Sequence, residues 1–204
     1  MCIKLLAIVI HFCLSFRYSV SMQVICDSNK QIIAFHAGCP SSSADSTVFQ
    51  RMDVYQDPAA HFSAGQYLIV DSAYSLTTTC IPSYKAPWTD LKENSDFNHC
   101  IAVARVRNEH CIGILKSRWG SLHEMQQQLR NKNDMRILLG WVMSCCVLHN
   151  MLAMLGDSWD EKFLEEEPPL LTHEGITFQA TARNVRENLK RTTLEICHSK
   201  GLID

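Results

Sequence analysis

The chain has 204 residues, enough for one domain with a real core. Hydrophobic residues make up 47% and charged residues 20%, which excludes a disordered or fibrous chain. The formal net charge of -2 gives no whole-chain signal for nucleic acid. Positive charge is local instead: Arg105, Arg107, Lys116, Arg118, Arg130, Lys132 and Arg136 share a stretch with only Glu109, Glu124 and Asp134 against them. Such a stretch can hold phosphates, although a solvated helix face is the plainer reading.

The ten cysteines do not form a secreted disulfide pattern. Cys26, Cys80, Cys100, Cys111, Cys145 and Cys146 sit inside apolar runs, where cysteine behaves as a small hydrophobe. There is no Cys-x-x-Cys pair, so zinc ribbons and thioredoxin-like motifs are unsupported, and reduced, buried thiols are expected.

Residues 3–16 (IKLLAIVIHFCLSF) resemble the apolar part of a signal peptide, too short to span a bilayer comfortably and without a clean cleavage site before Arg17. Residues 18–26 (YSVSMQVIC) carry Val20, Met22 and Val24 at period two and predict a half-buried strand. The turn chemistry of 27–30 joins it to a second strand over 31–37, giving a hairpin. Gly38-Cys39-Pro40 and the serines after them should break the sheet, with Ser43 or Asp45 capping a short helix through Val48 and Phe49. Tyr67 to Val70 (YLIV) reads as a fully buried central strand that ends at Asp71.

Residues 81–96 look like loop. A helix is expected from about Asn98 to Leu129, with Ile112, Leu115, Trp119 and Leu122 as its buried stripe. Residues 135–155 are apolar almost all round, which fits a core helix covering the hairpin better than a membrane span, because Ser144, His149 and Asn150 interrupt it. Beyond Asp157 an acidic run at 165–167 and Pro168-Pro169 mark a linker, and a short amphipathic helix follows near 182–197. This divides the chain into a leader (1–17), a main domain (18–155) and a linker with tail helix (156–204).

Two acids stand where a scaffold can present them. Asp71 follows a buried strand, and ligands gather outside the carboxyl ends of such strands; the plainer role is a turn aspartate for Ser72-Ala73-Tyr74. Glu109 lies on the long helix at the edge of its buried stripe, with Lys116 on the same face; the plainer role is a solvated glutamate. A strand-end aspartate and a helix glutamate can together bind Mg²⁺ or Mn²⁺, which prefer oxygen ligands and can activate water in phosphodiester cleavage. Cys145 and His149, one helical turn apart, lack the further ligands that zinc needs and read as core.

The motifs SMQVICD (21–27), GCPSSSADSTVF (38–49), YLIVDSAYSL (67–76), IPSYK (81–85), FN (97–98), RVRNEHCIGILKSRWGSL (105–122) and CCVLHN (145–150) occur in an order that resembles the PIF/Harbinger superfamily of DDE transposases and their domesticated nuclease relatives. The resemblance covers roughly residues 18–155. It implies an RNase H-like α/β fold, Asp71 and Glu109 as second and third catalytic carboxylates and metal ligands, and Mg²⁺ or Mn²⁺ as the only cofactor. It also implies DNA as substrate, contacted by Arg105, Lys116, Arg118 and Lys85. A nuclear location and a Myb-like DNA-binding partner protein follow from it as well, whereas secretion or membrane association would follow only if residues 3–16 were a true signal segment.

The family's first aspartate belongs to an Asp-Gly-Thr-like motif one strand upstream of residues 21–27, and the chain has no such motif. The sheet is therefore expected to lack its first strand, leaving an unpaired edge, with residues 3–16 either in that gap or as a loose helix. Asp45, at the same sheet end as Asp71, is the local substitute for the missing carboxylate. Asp27, at the hairpin, should lie at the far end. Without the first carboxylate the chain should be defective as a nuclease, or else serve as a non-catalytic module that binds DNA or protein.

Overall fold

The computed structural model describes residues 6–15, 18–122, 129–157 and 182–203. Five strands, β1 (Leu6–Ser15), β2 (Tyr18–Cys26), β3 (Ile32–Pro40), β4 (Leu68–Val70) and β5 (Cys80–Pro82), form one mixed sheet in the order β3-β2-β1-β4-β5. The first three are antiparallel, and β4 runs parallel to both β1 and β5. Three short helices, α1 (Asp45–Phe49), α2 (Asp53–Gln56) and α3 (Pro58–His61), precede β4. The long helices α4 (Lys92–Arg118), α5 (Lys132–Met154) and α6 (Ala182–Ser199) follow β5.

Residues 6–15 of the leader fill the expected gap in the sheet. The apolar leader is β1, in the middle of the sheet, with Leu6 paired to Cys26 of β2 and to Ile69 of β4. Among the described strands the edges are β3 and β5, and β4 has a strand on each side. Ile8, Val9 and Ile10 suit a strand, because β-branched residues are favoured in pleated backbone. An apolar run of this length has the same composition in a signal peptide and in such a strand, which is why the sequence alone separated it from the domain.

β2 is buried on both faces, not one. Val20, Met22, Val24 and Cys26 form one row, packed against Cys111, Ile112 and Leu115 of α4 and Leu138, Val142, Cys145 and Cys146 of α5. Ser21, Gln23 and Ile25 form the other row and are equally inaccessible, because Phe49, Met52 and Val54 of the short-helix layer cover that side. A third cluster joins Tyr67, Ile69 and Ile81 to Phe97 and Ile101 of α4 and to Val185 and Leu189 of α6. Each large aliphatic side chain buried this way contributes roughly 1.5–3 kcal/mol.

The hairpin turn forms as its residues dictate: the Asp27 carboxylate accepts from the backbone N–H of Asn29 and Gln31, and Lys30 takes a left-handed φ of 62°. Gly38 does not break the sheet. The register with β2 jumps from Cys39 opposite Ser21 to Ala37 opposite Met22, so Gly38 is the extra residue of a bulge, at φ 101°, and β3 continues to Pro40. Neither Ser43 nor Asp45 caps α1; its N-cap is Ala44, without a side-chain bond.

α4 begins at Lys92, inside the expected loop, and stops at Arg118 before a short 3-10 turn at Gly120–Leu122. α5 meets the sheet on one face only. Leu138, Val142, Cys145, Cys146 and His149 are buried, whereas Ile137, Trp141, Met143, Val147, Met151 and Met154 are exposed. By length and composition α5 could cross a membrane; packed here, it covers the β2–β3 hairpin with one face. α6 buries Val185, Leu189, Thr193 and Cys197 at four-residue steps. Cys197 is joined to Cys100 of α4 by a disulfide, so Cys100 is not the free, reduced thiol expected from its apolar setting. The acidic run at 165–167 lies outside the described residues.

Candidate functional site

Asp71 leaves the sheet directly after β4. One carboxylate oxygen accepts from the Ala73 backbone N–H at 2.6 Å, and the Tyr74 N–H reaches the Asp71 carbonyl, so the aspartate organises the turn that follows it. The turn role and the presentation of a carboxylate coexist, because a carboxylate has a second oxygen and several lone pairs. Asp71 is half-buried, and its charge, added to burial, pushes the Cys80 thiol up to about 12.

The structure gathers a polar group around this turn. Buried Gln23, in the middle of β2, donates from Nε2 to the Asp45 carbonyl at 2.6 Å and to the Tyr74 hydroxyl at 3.0 Å. Tyr74 packs edge-on against Phe49 of α1. Burial raises the Tyr74 hydroxyl, the carboxylates of Asp45 and Asp71 raise it further, and Arg105 of α4 pulls it down. Asp45, Asp71 and Arg105 therefore all lie within electrostatic reach of one hydroxyl. Asp45 stands at the same sheet end as Asp71, and since it does not cap its helix, its carboxylate is not committed there. Asp27 is tied into the hairpin turn beyond Cys26, on the other side of the row formed by Cys26, Leu6 and Ile69.

Glu109 is exposed on α4, while its neighbour Asn108 is the residue that turns into the core. Among the described residues no group of three or more His, Cys, Asp or Glu side chains is arranged to hold a metal ion, so Asp71, Glu109 and Asp45 are not drawn into one cluster. By the register of Leu6 with Ile69, Ile8 of β1 lies level with Asp71, and β1 contains no acid from end to end.

The four basic residues expected to meet DNA are placed differently from one another. Lys85 is exposed on the loop after β5. Arg105 is half-buried near Tyr74. Lys116 is half-buried, and that burial lowers its ammonium. Arg118 is held against Asp157, to the carboxylate and to the carbonyl at 3.3 Å each, and so ties the end of α4 to the end of α5.

Two features were hidden from the sequence. The CCVLHN motif is a clamp: Asn150 accepts from the Ile32 N–H at 2.8 Å and donates to the Ile32 carbonyl at 2.6 Å, and His149 bonds the Lys30 carbonyl at 2.9 Å. It binds α5 to the edge strand β3. The second is Gln23. Ser21 and Gln23 alternate with apolar residues and so look solvent-facing, and only the covering layer of α1 makes them interior.

The sequence profile described as DDE superfamily endonuclease matches residues 13–150. Among curated proteins, "Protein ALP1-like" from Arabidopsis thaliana is 20% identical over 171 residues, which is 78% of this chain and 40% of that protein. The chain thus spans about two fifths of the length of the curated relative it matches. No solved structure matches it. The matched region takes in part of β1 and everything from β2 to His149 and Asn150 of α5, including Asp71 and Glu109, and the chain belongs to the DDE superfamily endonuclease family.

Proposed function

We propose that this chain is a transposase-derived endonuclease domain of PIF/Harbinger type with an RNase H-like sheet, and that as it stands it binds DNA without cutting it. The observation that supports this most is the combination of a complete five-stranded sheet, with Asp71 at the end of β4, and a central β1 that carries no acid beside it. The three antiparallel strands followed by a parallel β4 on the far side of β1 are the order expected for that fold.

The donor set does not fit a two-ion centre. Asp71 and Glu109 supply hard oxygen ligands suited to Mg²⁺ or Mn²⁺, but among the described residues no third carboxylate forms a metal-holding group with them. Asp71 with Glu109 is at most a weak site for one divalent ion. No cleavage step follows from such a site, because a two-ion mechanism needs both the attacking and the leaving oxygen stabilised. A nuclear location and a separate Myb-like DNA-binding partner belong to this reading. The second reading, a domesticated module that keeps the fold for binding alone, shares the absent carboxylate and differs only in having no residual metal site. Titration calorimetry with Mn²⁺ separates them: weak, single-site heat that disappears in Asp71→Ala supports the endonuclease descent of the site. Equal heats in the two proteins exclude Asp71 as a ligand.

A further inference from the structure

β5 ends level with β4, Pro82 beside Val70, and the Ser83 N–H bonds the Val70 carbonyl, so the loop that follows emerges at the same sheet end as Asp71. That loop and α6 enclose a groove of about 380 Å³ lined by Tyr84, Trp88, Leu91, Arg183, Arg186 and Lys190. We propose that this groove receives one unpaired nucleotide of a DNA strand, its base against the aromatic wall and its phosphate at the arginines. The proposal rests on the DNA reading above and adds to it a place and a strandedness.

The wall is built for a flat ring. Trp88 is 64% exposed at the groove, and its loop is fixed from below by Asn94, whose side chain donates to the Trp88 carbonyl at 2.8 Å. Across the groove the Arg186 guanidinium lies over the Tyr84 ring at 4.0 Å. The Tyr84 hydroxyl donates to the Glu187 carboxylate at 2.5 Å, which locks the ring in place. A base stacks on tryptophan or on an arginine plane regardless of its identity, because every base has a π face.

Charge in the groove points the same way. Lys190 is occupied by Glu187 at 2.9 Å and Glu93 at 3.5 Å, so its charge is spent within the protein. Arg183 is exposed at the rim, and the buried Nε of Arg186 has no hydrogen-bond partner among the described residues. An anion with several acceptor oxygens suits the two arginines that line the groove, and phosphate has the geometry for guanidinium. Size decides the strandedness: about 380 Å³ is room for one nucleotide and not for the width of a duplex.

The test is fluorescence anisotropy of a labelled oligothymidylate on the full chain, with a duplex hairpin and free thymidine monophosphate as competitors. The expected result is preference for the single strand over the hairpin. Binding should weaken at least ~10-fold in Trp88→Ala and in Arg183→Ala, and recover in Trp88→Tyr. Both variant sites are exposed, and unchanged circular dichroism establishes that the variants fold. Unweakened binding by Trp88→Ala overturns the groove while leaving the DNA reading intact, since duplex binding and Asp71-dependent Mn²⁺ heat are read separately. Competition by the monophosphate as strong, per nucleotide, as by the strand assigns the groove to a free nucleotide and overturns the strand. Absence of binding to either DNA form overturns the groove and the DNA reading together, whatever the Mn²⁺ heat.

Discussion

The Cys26 thiol, at the last residue of β2, donates to the Cys111 sulfur of α4 at 3.0 Å, two residues along the helix from Glu109. Cys111 also bonds the Lys30 carbonyl and approaches His149 Nε2, so β2, the hairpin, α4 and α5 converge on one sulfur. The Cys26 hydrogen bond lowers the Cys111 thiol to about 6, against the opposing effect of burial and with help from His149, while the same bond pushes Cys26 up.

Ultraviolet thiolate absorbance should therefore titrate with a midpoint near 6, and the signal should be absent in Cys111→Ser. Cys26→Ala and His149→Gln should each move the midpoint upward. A thiol held below its unfolded value of 9.0 stabilises the fold above that pH and loses this contribution as pH falls through about 6. A wild-type titration with no thiolate below pH 8 would contradict the assignment.

Gln23→Leu should destabilise the fold by ~1–3 kcal/mol in urea unfolding, because it leaves the buried Asp45 carbonyl without its donor at nearly constant volume. Loss of stability in the surface variant Gln50→Ala should be much smaller. Equal effects would mean that Gln23 does not join α1 to the sheet.

Asn150→Ala removes both bonds to Ile32 and leaves the N–H and carbonyl of an edge strand without the clamp, a loss of ~1–3 kcal/mol. Hydrogen exchange should rise first in β3 and the hairpin, since these are the segments that α5 holds. An Asn150→Ala protein with unchanged exchange in β3 would show that the CCVLHN motif does not work as a clamp.

The parts of this architecture governed by local chemistry were legible in the sequence. The hairpin turn at Asp27, the strand before Asp71 and the apolar stripe of α4 through Ile112 and Leu115 follow from turn propensity and periodicity. What depended on long-range placement was not. Residues 6–15 could be assigned to a central strand only by knowing that β2 and β4 leave a slot between them. Gln23 looked like a surface residue because the layer that buries it comes from residues 45–56, after an intervening strand. Gly38 looked like a break because a bulge and a strand end begin with the same residue. For the site, the positions of Asp71 and Asp45 relative to each other could be argued from strand direction, whereas the Arg186–Tyr84 stack joins residues about a hundred positions apart and had no sequence signal.

A single substitution tests the proposed first ligand position on β1. Ile8→Asp places a carboxylate on β1 level with Asp71, paired with Val24 of the α4-facing row. It should raise Mn²⁺ affinity in calorimetry, and the gain should vanish when Asp71→Ala is added. Unchanged affinity in a folded Ile8→Asp protein would show that β1 does not carry the first ligand position.

The most direct test of the account is nicking of supercoiled plasmid by the purified chain in Mn²⁺. The unmodified chain should leave the plasmid supercoiled, whereas Ile8→Asp should nick it and lose that activity again with Asp71→Ala or Glu109→Ala. Nicking by the unmodified chain that Asp45→Ala abolishes would contradict the account and make Asp45 the first catalytic carboxylate.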